Sequence, residues 1–205
     1  MQINLKTISV NDIIMLSDLV LGVFAFYFYS RHRVLSKYWS YFFLFMGFSA
    51  IIGGFYHGLD MVGEQFRFLS WSFLAVSIVF AQFAVYKTVD NRALKWLFVM
   101  KAMLFLSLSI YNANFGFMIV EMIISLVGFV IIGNLFYLKS MSNTIAYGIL
   151  ISFSSVFFIV FKISIEPNYL TANDLGHYVS VVSLMVMSKG ISEDSIKGVL
   201  KKRKV

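Results

Sequence analysis

Seven long apolar segments separated by short polar breaks dominate the chain, and their lengths match what a membrane span demands. Each residue of an α-helix rises about 1.5 Å, so a hydrocarbon core about 30 Å thick takes roughly 20 of them. The pattern predicts spans at 11–30, 38–59, 66–87, 93–111, 115–138, 143–164 and 171–190. The breaks are Arg31-His32-Arg33, Asp60 to Gln65, Asp90-Asn91-Arg92, Asn112-Ala113-Asn114, Ser140 to Asn143 and Glu166-Pro167-Asn168. Runs such as Phe42 to Phe45 and Ile119 to Ile132 are apolar on every side, whereas barrel strands would change polarity at every second residue. The expected fold is therefore all-α: a seven-transmembrane-helix bundle over residues 1–190, followed by a basic cytoplasmic tail over 191–205. Short breaks make consecutive helices antiparallel neighbours.

Composition narrows the class. Of 205 residues, 60% are hydrophobic and 13% charged, with a mean hydropathy of +0.82. Soluble domains carry about 25% charge, so a water-soluble enzyme, a nucleic-acid binder and a disordered chain are excluded. The absence of cysteine removes disulfides, thiolate metal sites and a cysteine nucleophile. The net charge of +7 has a topological meaning: thirteen of the seventeen Lys and Arg fall on one side of the predicted bundle. With that side cytoplasmic, the amino terminus lies outside and the carboxyl terminus inside. The expected location is a bacterial inner or plasma membrane, with membrane lipid as the surrounding partner.

Ionisable groups inside spans cost about 2.5–3.5 kcal/mol even on lenient scales, so each is a functional candidate. Asp18 on helix one and Glu121 on helix five lie at similar depth below the outer surface, near His57 on helix two and Asp174 and His177 on helix seven. Asp60, Glu64 and Arg67 occupy the connection above, and seven of the ten acids are on this side. Asn173, Asp174 and His177 share one helical face by their spacing. Gly53 and Gly54, a turn below His57, permit close approach of another helix or a ligand.

Imidazole and carboxylate suit zinc. One reading is an intramembrane zinc site with His57, His177 and Asp174 as ligands, and with Asp18, Asp60 or Glu121 as general base. That arrangement predicts hydrolysis of a lipid or lipid-like amide or ester at the outer leaflet. A second reading is a non-catalytic membrane protein, a sensor, small transporter or assembly partner, whose polar cluster binds a cation, couples protons or joins helices. A third is one haem held between His57 and His177. Elsewhere, Lys101 is expected to snorkel to the inner face, the more common outcome, or else to pair with a carboxylate, and His32, between two arginines, is expected to lie on the surface. Trp71, Tyr56, Tyr111, Tyr169 and Tyr178 are expected to form an interfacial aromatic belt.

The stretches Gly53-Gly54-Phe55-Tyr56-His57 and Asn173-Asp174-Leu175-Gly176-His177-Tyr178 resemble motifs of the superfamily of alkaline ceramidases, hemolysin III-like proteins and progestin/adipoQ receptors. The resemblance implies seven helices and a zinc-dependent intramembrane hydrolase. It matches His57 to the helix-two ligand, His177 to the second helix-seven ligand and Asp60 to the motif aspartate. Gly53 stands where the motif has serine, and Asn173 where it has the first helix-seven histidine. A three-histidine site is therefore ruled out, and either Asp174 takes over ligation or the site has lost its metal.

Overall fold

The computed structural model describes residues 9–59, 61–139, 141–165 and 170–202. Among them it forms seven helices: α1 (Val10–His32), α2 (Lys37–Gly58), α3 (Glu64–Val85), α4 (Arg92–Tyr111), α5 (Gly116–Leu138), α6 (Asn143–Val160) and α7 (Ala172–Lys202). Helix is the expected answer, because within a bilayer every backbone N–H and C=O must find its partner inside the chain. Local signals set the ends. Ser9 and Asp12 form a capping box on α1, with each side chain accepting from the other's amide at 3.2 and 2.9 Å. Asn91 caps α4 through the Leu94 amide at 3.1 Å.

Five of these helices, α1 to α5, are long and apolar enough to cross a membrane. The chain is a multi-pass integral membrane protein. The other two expected spans differ in detail. α6 is apolar but stops at Val160, short of the expected 164. α7 interleaves Asp174, His177 and five serines with its apolar residues, and it continues beyond 190, the expected end of the last span, to Lys202.

α5 changes its winding after Met122. From Ile123 to Ile132 and from Asn134 to Leu138 its turns are π-helical, with each amide reaching back five residues; the Lys139 amide closes the last turn on the Asn134 carbonyl at 2.8 Å. Lys139 then takes a left-handed conformation with φ 47° and ends the helix. The Asn134 side chain fastens the next connection, bonding the Met141 carbonyl at 3.1 Å and its amide at 2.8 Å.

Six helices pack in a ring, α1 on α2, α2 on α3, α3 on α5, α5 on α6, α6 on α7 and α7 back on α1, while α4 lies outside against α3 and α5. The apolar core, with Phe43, Ile78, Met118 and Ile149 among its fully buried members, draws on all six ring helices. α4 presents Trp96, Met100, Met103 and Leu104 outward, as suits a lipid-facing helix.

Close helix approach is clearest between α6 and α7. A Cβ built on Gly148 would lie 2.9 Å from the Met187 amide nitrogen and 3.0 Å from the Ser183 carbonyl oxygen, and the Ser183 hydroxyl donates to the Gly148 carbonyl at 2.8 Å. Backbone leaves no room to yield there. Gly148→Leu should therefore lose about 1–3 kcal/mol of stability by overpacking. Gly128→Ala, where an added Cβ meets nothing within 4 Å, should be neutral or gain up to about 1 kcal/mol. Unfolding of both variants in mixed micelles measures the contrast.

Candidate functional site

Three helices bring their polar residues together at the end of the bundle where α1 begins. Asp18 and Ser17 come from the third turn of α1, His57 from the last turn of α2, and Asp174 and His177 from the first two turns of α7. Thr171 and Asp174 set the geometry of the α7 start. The Thr171 amide and hydroxyl both donate to Asp174 Oδ2, at 2.9 and 2.6 Å, while the Asp174 amide approaches the Thr171 hydroxyl at 3.3 Å. This is a capping box with an aspartate in the acidic position, and it fixes the other oxygen, Oδ1, toward α1.

Ser17 meets that oxygen. Its hydroxyl lies 2.8 Å from Asp174 Oδ1, 2.9 Å from His177 Nδ1 and 2.9 Å from the Ile14 carbonyl. The other ring nitrogen of His177, Nε2, is 3.3 Å from Asp18 Oδ1. Asp18 Oδ2 is buried with no hydrogen-bond partner among the described residues. Gly54 of α2 makes space for Asp18: a Cβ there would come within 3.0 Å of Asp18 Cβ. Ser17 and Asp174 are fully buried, so the network is closed off from solvent at its centre. His57 makes no hydrogen bond among the described residues, but it lies within electrostatic reach of Asp174 and His177. It also lines an open cavity of about 390 Å³ with Asn11, Tyr56, Gly63 and Glu64.

Of the residues singled out from sequence, Asp18, His57, Asp174 and His177 converge as expected. Asp60 lies outside the described residues. Glu121 is elsewhere. It is fully buried between α3, α4 and α5, where Lys101 donates to its two oxygens at 2.6 and 2.7 Å and Ser125 to one of them at 2.7 Å. Lys101 also bonds the Ser125 hydroxyl, which accepts from Gln82 Nε2 at 3.1 Å. The expectation that Lys101 snorkels away is thus corrected: a buried carboxylate one helix over neutralises it at its own depth.

His32 is also corrected. Far from the surface, it is fully buried, with Nε2 2.7 Å from the Ser188 hydroxyl of α7 and its ring stacked on Phe43 at 5.7 Å. α1 runs two residues further than expected and carries this side chain inward while Arg31 and Arg33 remain exposed. Trp71 leaves the expected belt too; it is buried against Phe115 and covered by the Arg67 guanidinium, 5.1 Å above its ring.

Sequence reasoning missed Ser17 and Thr171. The Thr-x-x-Asp spacing at 171–174 was the available signal for the second; nothing in the sequence marks Ser17 except its place beside Asp18.

The donor set bears on the metal reading. Among the described residues no three His, Cys, Asp or Glu side chains are placed to share an ion. Both ring nitrogens of His177 and both oxygens of Asp174 already face protein partners. To hold an ion together with His57, His177 and Asp174 would each have to exchange protein partners for it.

Fold and site together define a helical membrane protein with a desolvated Asp–His–Ser–Asp network. Residues 13–195 match DUF6962, a family of unknown function, and the chain belongs to that family. No curated protein and no solved structure matches it.

The second polar centre gives a sharp test. Lys101→Met strands the Glu121 carboxylate and should cost about 3–5 kcal/mol. Adding Glu121→Leu should recover most of that loss. A double-mutant cycle on unfolding in micelles reads the coupling.

Proposed function

We propose that this chain is a non-catalytic membrane component that takes up and releases a proton at the α1–α7 network, as the proton-binding element of a small transporter or sensor. The observation that carries the reading is the hydrogen count around His177. Ser17 has one hydroxyl hydrogen and three acceptors within reach.

Suppose Ser17 donates to Asp174. His177 then presents N–H at Nδ1, and the 3.3 Å approach of Nε2 to Asp18 needs a further proton between them, on one or the other. Suppose instead that Ser17 donates to His177. The ring then takes the other tautomer, its Nε2–H serves Asp18, and Asp174 keeps only its Thr171 bonds. Gain or loss of one proton thus exchanges two bonding patterns by turning a hydroxyl and swapping a tautomer. The first pattern ties α1 to α7 through Asp174; the second relaxes that tie. Ionisable chains of this kind inside membranes serve proton relays.

The cavity at His57 supplies the aqueous approach. The basic residues Arg31, Arg33, Lys37, Lys87, Arg92, Lys95 and Lys139 all lie at the opposite end, which supports an orientation with this cavity outside. The superfamily resemblance favours a metal hydrolase instead, and the test separates the two.

Infrared difference spectra of protein in lipid, recorded between acid and neutral pH, should show a carboxyl stretch that Asp18→Asn abolishes and that Glu64→Gln, on the exposed rim, leaves intact. His177→Gln should shift its midpoint. Persistence of the full signal in Asp18→Asn refutes the reading. So does one tightly held metal ion per chain in elemental analysis, which would restore the hydrolase.

A further inference from the structure

At the far end of the bundle, the start of α2, the end of α3 and the start of α4 enclose a cleft of about 330 Å³. Three ammonium groups ring it: Lys37 is the first residue of α2, Lys87 follows the end of α3, and Lys95 is in the first turn of α4. Its walls are aromatic, formed by Tyr38, Tyr41 and Tyr86 with Phe80 and Phe83. Lys37 and Lys87 have no ion-pair partner among the described residues, and Lys95 meets only the fully exposed Asp90, at 3.8 Å. A pair so open to solvent is weak, and an incoming anion replaces it readily. Ser36 makes no side-chain bond to the amides of α2 that follow it, so the positive end of that helix adds to the field.

A lysine-ringed cleft at the level of the helix ends is where a lipid headgroup sits, and the aromatic wall continues in a direction that suits a chain. Tyr41 packs on Phe80 with ring centres 5.1 Å apart, and Phe45 stacks on Phe80 at 5.4 Å and on Phe73 at 6.0 Å. Phe48 extends the row from Phe73 at 5.4 Å and is exposed. This aromatic ladder climbs the α2–α3 seam from the lysines toward the middle of the bundle.

We infer that the cleft is a binding site for an anionic phospholipid, its phosphate held by Lys37, Lys87 and Lys95 and one acyl chain laid along Phe80, Phe45 and Phe73. Lys37 and Lys87, without carboxylate partners among the described residues, and Lys95, paired with the exposed Asp90, recognise phosphate; the ladder recognises the chain. Basic pockets between helices are an established mode of headgroup recognition. The site shares no residue with the α1–α7 network, so the two readings stand or fall separately.

Native mass spectrometry of the delipidated full chain titrated with phosphatidylglycerol or phosphatidylcholine tests it. Wild type should retain phosphatidylglycerol preferentially. The triple variant Lys37→Gln/Lys87→Gln/Lys95→Gln should bind it about tenfold more weakly or worse. The charge-matched control Arg31→Gln/Arg33→Gln/Lys139→Gln, at the same end but outside the cleft, should bind like wild type. Equal losses in both variants would reduce the effect to general surface charge and overturn the site, as would an undiminished triple variant. Inorganic phosphate binding as tightly as the lipid would make it a free-anion site and overturn the lipid assignment.

Discussion

The contact between α1 and α7 closes the ring, and it is the contact with the greatest separation along the chain. Apolar packing supplies little selectivity between helices in a membrane, because lipid tails are as apolar as leucine. This seam is fastened by polar groups at two levels. Ser17 and Asp18 meet Asp174 and His177 near one end, and His32 meets Ser188 near the other. The two levels are fourteen residues apart on α1, or about 21 Å of helix. A seam pinned at both ends has a defined register and crossing, and the other ring helices pack within that frame.

Each polar centre obeys the same constraint: a charge or strong dipole in an apolar surround has to be met by another within bonding distance. The α3–α4–α5 centre meets it with a salt bridge backed by Ser125 and Gln82, which attaches the peripheral α4 to the ring. Among the described residues each centre leaves one buried oxygen without a hydrogen-bond partner, Gln82 Oε1 in the first and Asp18 Oδ2 in the α1–α2–α7 centre. The carboxyl oxygen can take up a proton, whereas the amide oxygen only accepts a hydrogen bond. That difference separates a structural tie from a candidate site.

How much of this was legible in the sequence follows from what a hydropathy pattern records. It records depth along the bilayer normal, so helix positions and the common level of Asp18, His57, Asp174 and His177 were readable. It does not record the angle around each helix axis or which helices adjoin. Glu121 shared the right depth but faced Lys101, two helices away from His177. His32 was misplaced for a related reason: its neighbours Arg31 and Arg33 are polar, yet a helical turn of 100° per residue sends the middle residue inward. Ser17 was invisible because serine in a membrane helix is common and gains meaning only from its partner across the seam.

The π-helical winding of α5 has a further consequence for how this chain tolerates change. A wide turn holds one residue more than an α-helical turn, and it can give that residue up by tightening. Loss of a single residue between Ile123 and Ile132 would therefore be absorbed locally, leaving Glu121 and Asn134 on their present faces, whereas the same deletion in the regular α1 would rotate Asp18 away from His177. The helix that bears the structural tie is thus the one best able to accommodate a change in length, and the helix that bears the candidate site is among the least.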